Sequence, residues 1–450
     1  MALAGAGEQG LALISSVAAP SVILDVVTTS APVADAPASA PGSRPPLKIG
    51  IVSPYGYPHP GGVNEHVRFT HDAMRRMGHD VWIITSKYGR ERESEGRVIR
   101  LGTGWAAPAN GSVGRVTLGL RFKKQVREVL AQHRFDILHF HEPLVPFLSP
   151  TMLDASETVN VGTFHAFGGF SPSYWIGSKF ARRLADKLDG RIAVSGAARH
   201  FINRYFPGDY RIIPNGIDVE AFEEPRPPLP ELHDGKINLL FVGRLDKRKG
   251  LVYLLNALPH VKYHFPNLRL IVIGAFDEDQ MQEYRYFVQE TGLTDVVFKG
   301  FVSFEDKIRY YQSCDLFCSP AIGRESQGII LLEAMAAGKP VIASAIDGYR
   351  TVVDHEQDGL LVRPADPTAL AVGICRLLSD TALRDRLAAA GRAKAQSYSW
   401  PKVARQILDL YEETIERAKS EEIDRPSEDD GRHRQSGSLL LPYGLAPIQL

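Results

Sequence analysis

The chain has 450 residues, 44% hydrophobic and 23% charged, which suits two folded α/β domains of ordinary size and excludes a mainly disordered polymer. Its 52 basic and 52 acidic side chains cancel, so no bulk charge draws it to nucleic acid or to a membrane, and only a local cluster can carry such a role. Three cysteines, Cys314, Cys318 and Cys375, build no disulfide framework and fit a reducing compartment.

Residues 1–46 are rich in Ala, Pro, Ser and Val. The apolar part, 11–27, is broken by Pro20 and Asp25 and has no basic segment before it, so it reads as a disordered leader and not as a signal peptide or membrane span. The run 48–53 predicts the first strand of a parallel sheet. A loop holding Gly61 and Gly62 follows, then an amphipathic helix over 63–77 with Gly78 as its expected C-cap, then a strand over 80–85. Strand, Gly-Gly loop and helix in that order let a ligand approach the backbone at the carboxyl edge of a sheet, although a Gly-Gly pair is often only a turn. His59 and His66 are expected at the surface or in a loop.

Residues 115–132 read as one helix, with Leu118, Phe122, Val126 and Val129 at apolar positions. Arg121, Lys123, Lys124 and Arg127 cluster on it within two turns. A basic amphipathic helix can lie on an anionic membrane, and the same pattern fits a solvated face packed on its own sheet. Strands over 135–140 and 160–164 run into His141-Glu142 and His165, at the strand ends where open α/β sheets bind ligands. That position makes His165 a candidate site residue. A strand over 190–195 ends at Ser195, a candidate N-cap, and 210–218 is an extended run ending in turn residues.

The Pro- and acid-rich stretch 220–235 predicts a domain junction. A second alternation follows, with strands over 239–243, 268–274, 296–302, 316–319, 341–344 and 359–362, implying a second parallel sheet covered by helices. Ser303 is an expected N-cap with Asp306 as its partner. Helices from 368 and 383, a break at 397–400 and a last helix to 418 close the fold, and the last helix is placed to cross back to the first domain. The tail 419–450 is expected to be loose. Cys314 and Cys318 lack a His–Cys partner set, so they read as small buried hydrophobes and not as zinc ligands.

The chemistry concentrates in 319–345. A strand and a Gly-containing loop lead into a helix over 328–337 that is apolar nearly all round and therefore predicted to be buried. Glu325 and Glu333 bracket the start of that helix. Burying Glu333 is costly without polar partners. Gly328 lets a ligand come close to the first-turn N–H groups, from Ile329 onward, which form an anion site. Arg244 and Lys249 sit in the loop after the first strand of the second domain. A fixed Arg–Lys pair can neutralise a departing diphosphate without a metal. Lys247 and Arg248 read as solvated charges. The pattern fits a sugar-nucleotide site, with phosphate on the helix start, sugar hydroxyls on Glu325 and ribose hydroxyls on Glu333. An ordinary buried βαβ unit is the alternative.

GRLDKRKG (243–250), ESQGIILLE (325–333) and EAMAAGKPVIAS (333–344) together resemble the retaining glycosyltransferases of family 4, over about 47–418. The resemblance implies the α/β GT-B fold: two Rossmann-like, doubly wound domains facing a central cleft, with the C-terminal helix crossing back to the N-terminal domain. It implies an acceptor domain over 47–222, a nucleotide-sugar donor domain over 223–397 and a crossover helix over 398–418, between the leader 1–46 and the tail 419–450. PGGV (60–63), the basic helix, FDILHFHEP (135–143), TFHAF (163–167) and IPNGID (213–218) resemble the bacterial phosphatidylinositol mannosyltransferases within that family.

The implied roles follow residue by residue. Gly62 contacts the donor diphosphate when the domains close, and Arg244 and Lys249 bind its phosphates, beside Gly328 and Ile329. Glu325 holds the transferred sugar, Glu333 the ribose, and His165 lies by the anomeric carbon. Arg121, Lys123, Lys124 and Arg127 become a membrane contact. The donor is expected to be GDP-mannose and the acceptor a lipid or polyol such as phosphatidylinositol, with no cofactor, no metal and no nucleic acid. The place is the cytoplasm, peripheral on the inner face of the cell membrane. Gln327 stands where related enzymes usually have Phe, which leaves open a soluble relative using UDP-glucose or UDP-N-acetylglucosamine on a sugar or small-molecule acceptor.

Overall fold

The structure, a computed structural model, describes residues 45–58, 61–87, 97–102, 104–109, 112–117, 120–165, 181–276 and 278–423. His59, Pro60, Leu118, the side chain of Arg121, Ala166, Phe167, nearly all of the leader and the tail from 424 lie outside the described residues.

The first sheet is built from short buried apolar runs. They are β1 (Lys48–Val52), β2 (Asp80–Ser86), β3 (Val98–Leu101), β6 (Ile137–His141), β7 (Val159–Phe164), β8 (Gly190–Ala193) and β9 (Arg211–Ile212), all parallel, in the order β3-β2-β1-β6-β7-β8-β9. Ile49, Ile51 and Val52 of β1 are fully buried, as a central strand covered on both faces requires. The second sheet comprises β10 (Ile237–Val242), β11 (Leu268–Ile273), β12 (Val296–Gly300), β13 (Leu316–Ser319), β14 (Val341–Ser344) and β15 (Leu360–Val362), also parallel, in the order β12-β11-β10-β13-β14-β15. Each sheet reverses its winding beside its first strand, between β1 and β6 and between β10 and β13. Loops leaving the carboxyl ends of those strands diverge there and open a crevice.

One expectation fails. Residues 115–117 are not the start of a helix. They belong to β5 (Ser112–Thr117), antiparallel to β4 (Gly104–Ala109), with Arg115 opposite Ala106 and Val116 opposite Trp105. Val113, Val116 and Thr117 are β-branched and favour a strand, and the helical period begins only at the helix Leu120–His133.

The final helix, Trp400–Ile423, continues past 418. Trp400, Val403, Ala404, Ile407, Leu408 and Tyr411 recur at the 3–4 residue spacing of one helix face. They are buried in one core with Ile49, Ile51, Val67, Met74 and Val161 of the first domain. Each fully buried Ile, Val or Leu in that stripe contributes about 1.5–3 kcal/mol, so this face pins the C-terminal helix to the N-terminal domain. The crossing is tied at its start by Ile217 N–H donating to the Tyr398 carbonyl at 2.9 Å.

The caps at Ser195 and Ser303 accept from Ala198 N–H and Asp306 N–H, as their sequence contexts predict. Gly78 lies one residue past the C-cap, Met77, with φ +94°. Cys314 and Cys318 are buried in the second domain, and burial pushes the Cys314 thiol up to about 12.

Candidate active site

The second domain brings together the loops after β10 and β13. Lys249 Nζ lies 2.7 Å from Glu325 Oε1, with both side chains 13% exposed. Arg248 Nη1 donates to the same oxygen at 2.5 Å, so Arg248 is part of the cluster and not the solvated charge its neighbourhood in the sequence implies. The reason is backbone geometry. Gly250 has φ +73°, and a Cβ there would sit 2.0 Å from the Pro320 carbonyl oxygen, so only glycine lets the Lys249 turn fold under the exit of β13. Ile322 N–H donates to the Arg248 carbonyl at 2.9 Å and joins the two loops. Arg244 is more exposed, with Nη2 at 3.7 Å from Asp246.

Glu333 faces away from this cluster and has the polar partners its burial demands. Lys307 Nζ donates to Oε1 at 2.7 Å and the Tyr311 hydroxyl donates to Oε2 at 3.0 Å. Burial and the Glu333 charge hold the Tyr311 hydroxyl well above its usual range. The helix Ile329–Ala336 starts at Gly328 with no side-chain cap, which leaves its first N–H groups uncapped by any side chain. Gly328 has φ −87°, and a Cβ there would meet Leu331 at 2.7 Å and Tyr349 at 3.0 Å. Its smallness therefore serves packing within the protein, where the sequence suggested room for a ligand. Gly62, by contrast, opens the helix Gly62–Arg76, and a Cβ there would meet nothing within 4 Å. Desolvation holds Glu65, in the same first turn, above the usual carboxylate range, with Lys307 opposing the shift and Glu333 adding to it.

The first domain contributes four histidines. His141 Nδ1 is 2.9 Å from His165 Nε2, and His139 is held between the Thr163 and Tyr411 hydroxyls, each at 2.6 Å. His165 N–H donates to the Glu142 carboxylate at 2.7 Å. His66 is the surprise: it is 2% exposed, and its ring meets those of His141, His165 and Trp400 edge-on at 4.9–5.0 Å. The surface position expected for it fails because the final helix covers this end of the first helix. Burial lowers His66 to about 4 and His139 to about 3, and holds His141 and His165 well below the usual range, so the set is neutral at pH 7. Gln327, two residues after Glu325, reaches the first domain and bonds to Asn215 three times.

Two family models cover both domains: "Glycosyltransferase Family 4" over residues 60–221 and "Glycosyl transferases group 1" over 226–394. The phosphatidyl-myo-inositol mannosyltransferase of Mycobacterium tuberculosis is 37% identical over 377 residues, 81% of this chain and 97% of that protein. Its counterpart in Mycobacterium leprae is 38% identical, over 81% and 96%. The chain belongs to glycosyltransferase family 4. A glycosyltransferase structure from Rickettsia africae superposes with a TM-score of 0.68 at 20% identity, over 82% of this chain and 99% of that one, in agreement with the GT-B fold.

In this glycosyltransferase the structure brings Lys249 and Glu325 into contact, sets Arg244 beside Asp246, and pairs Glu333 with Lys307 and Tyr311, on the helix Ile329–Ala336 that follows Gly328, while Gly62 and His165 belong to the first domain. Sequence reasoning missed Arg248, Lys307, Tyr311, His66 and Asn215. Asn215 and Arg248 carried a signal, inside the runs IPNGID (213–218) and GRLDKRKG (243–250). Lys123, Lys124 and Arg127 are exposed, opposite the buried Phe122 and Val126. No helix among the described residues is long and apolar enough to cross a membrane. A cavity of about 550 Å³ lined by Val288, Leu293, Val296 and Phe298, among others, shares no residue with the site.

Proposed function

We propose that this glycosyltransferase moves mannose from GDP-mannose to the inositol of a phosphatidylinositol-type lipid at the inner face of the cell membrane, with retention of configuration and without metal or cofactor. The observation that carries this reading is the likeness, across both domains, to proteins named phosphatidyl-myo-inositol mannosyltransferase. The exposed cations of the helix Leu120–His133 support it, since about 1 kcal/mol per basic residue is available near an anionic bilayer. In this reading Arg121, Lys123, Lys124 and Arg127 contact the lipid surface.

Each group in the cleft then has a role. The acceptor hydroxyl oxygen bonds to the anomeric carbon on the face the diphosphate leaves. The bond from that carbon to the phosphate oxygen breaks, and a phosphate oxygen takes the hydroxyl proton. Arg244 and Lys249, with the N–H groups of Gly328 and Ile329, take up the charge that develops on the diphosphate, and Gly62 approaches it on closure. Glu325, which already positions Lys249, accepts from the mannose hydroxyls, and Glu333 accepts from the ribose. A neutral His165 sits by the anomeric carbon without repelling the positive charge that grows there.

The test is a thermal-shift screen with GDP, GDP-mannose, UDP, UDP-glucose and UDP-N-acetylglucosamine, followed by transfer to phosphatidylinositol vesicles. A donor at a hundredfold excess over its dissociation constant stabilises the fold by about 2.7 kcal/mol. GDP-mannose is expected to do so and to be turned over. Stabilisation by UDP conjugates alone refutes the donor assignment. Wild-type protein that does not sediment with anionic vesicles refutes the membrane assignment.

A further inference from the structure

One residue pair joins the domains with a specific polar geometry. Gln327 comes from the loop after β13 and Asn215 from the segment after β9. Gln327 Oε1 accepts from the Asn215 backbone N–H and from Asn215 Nδ2, each at 2.8 Å, and Gln327 Nε2 donates to the Asn215 carbonyl at 3.2 Å. Both residues are buried, at 5% and 6% exposure, so these bonds have no ready replacement from solvent.

Asn215 Oδ1 has a further neighbour, His66 Nδ1 at 2.8 Å. An amide oxygen only accepts, so His66 donates and carries its proton on Nδ1. His66 Nε2 is then a bare lone pair, buried and without a hydrogen-bond partner in the protein. Gln327 dictates this arrangement. Because Nδ2 of Asn215 must point at Gln327 Oε1, Oδ1 must face His66. A flipped Asn215 would set oxygen against oxygen at Gln327. The His66 ring meets the ring of His165 edge-on, with centroids 4.9 Å apart.

We infer that Gln327 is a positioning residue: through Asn215 it clasps the second domain onto the first and fixes the orientation and tautomer of His66 beside His165. The clasp sits between Glu325 and the helix start at Gly328, so it also sets the spacing between the phosphate-side cluster and the histidines. This inference rests on family membership alone and not on which donor or acceptor is used.

The test compares wild type with Gln327→Leu, which keeps volume and removes all three bonds, and with Gln327→Glu, which keeps the acceptor atoms. Nitrogen NMR of histidine-labelled protein reads the His66 tautomer, and solution X-ray scattering reads the separation of the domains. Wild type is expected to show the Nδ1–H form. Gln327→Leu is expected to show a mixture, a larger radius of gyration and a kcat lower by about tenfold, with donor KM changed less, the size of one to two lost hydrogen bonds. Gln327→Glu is expected to keep the wild-type tautomer. A folded Gln327→Leu with wild-type tautomer and scattering overturns the inference, as does an Nε2–H form in wild type. If Gln327→Leu does not fold, Asn215→Asp decides. It still accepts from His66 but cannot donate its side chain to Gln327, so it should keep the tautomer and loosen the domains. An unchanged radius of gyration in that variant overturns the clasp. Neither NMR nor scattering needs a donor, so failure of mannosyl transfer and failure of the clasp are separate results.

Discussion

Acidification should destabilise this protein well before its carboxylates titrate. His66 titrates at about 4 and His139 at about 3 in the folded state because burial disfavours their charged forms. An unfolded histidine titrates near 6.5. Both folded values are depressed, so the unfolded chain binds more protons, and the stability these groups contribute is complete above pH 6.5 and is lost as pH falls toward 4 and 3. At pH 5.0 each unfolded histidine is almost fully protonated while its folded counterpart is almost bare, which costs about 2 kcal/mol per residue and about 4 kcal/mol for the pair. That is a large fraction of an ordinary stability of about 5–15 kcal/mol. His141 and His165 are shifted in the same direction and add to the loss. The assay is urea denaturation followed by circular dichroism at pH 7.5, 6.5 and 5.0. A His139→Gln variant removes one of the titrating groups, so its loss between pH 7.5 and 5.0 should be smaller than wild type's by about 2 kcal/mol. Wild type losing less than about 1 kcal/mol over that range would refute the reasoning, because it would require these rings to be hydrated or already charged.

Three further outcomes are expected. Lys249→Met and Glu325→Gln, each checked for folding by melting, should lower sugar transfer by about a hundredfold, the cost of about 2.7 kcal/mol of lost charge stabilisation. Full activity in either removes that residue from the site. Glu333→Gln removes the negative charge from the pair with Lys307 at 2.7 Å, leaving at most a neutral hydrogen bond, and should weaken nucleotide binding by about tenfold in calorimetry, with a smaller effect on the maximal rate. Gly216→Ala should lower the melting free energy by about 1–3 kcal/mol, because the new Cβ would lie 2.6 Å from the Trp400 ring at the start of the crossing helix. An unchanged melting temperature would show that the indole moves aside at no cost.

Much of this protein is determined locally and can be read from the chain alone. Runs such as 48–52 and 237–242 are apolar and short, and they alternate with amphipathic helices. That pattern admits little besides two parallel sheets, because both faces of each strand must be covered. The stripe from Trp400 to Tyr411 likewise announces a buried face by its own spacing. Glu325, Lys249 and Glu333 stand out because their charges sit beside apolar or glycine-rich runs that solvent alone would not explain. The hairpin at 104–117 escaped this reading because its pairing is a relation between two strands, and neither has a strong period of its own.

Tertiary structure alone decided the partners. His66 looks like an exposed helix residue until the C-terminal helix, more than three hundred positions away, lies over it. Arg248 looks solvated until the left-handed turn at Gly250 brings it to Glu325. Gln327 and Asn215 meet only because the domains close on one another. Burial and hydrogen-bond partnership are properties of positions in space. Periodicity reports which face of an element is covered and says nothing of which distant side chain covers it.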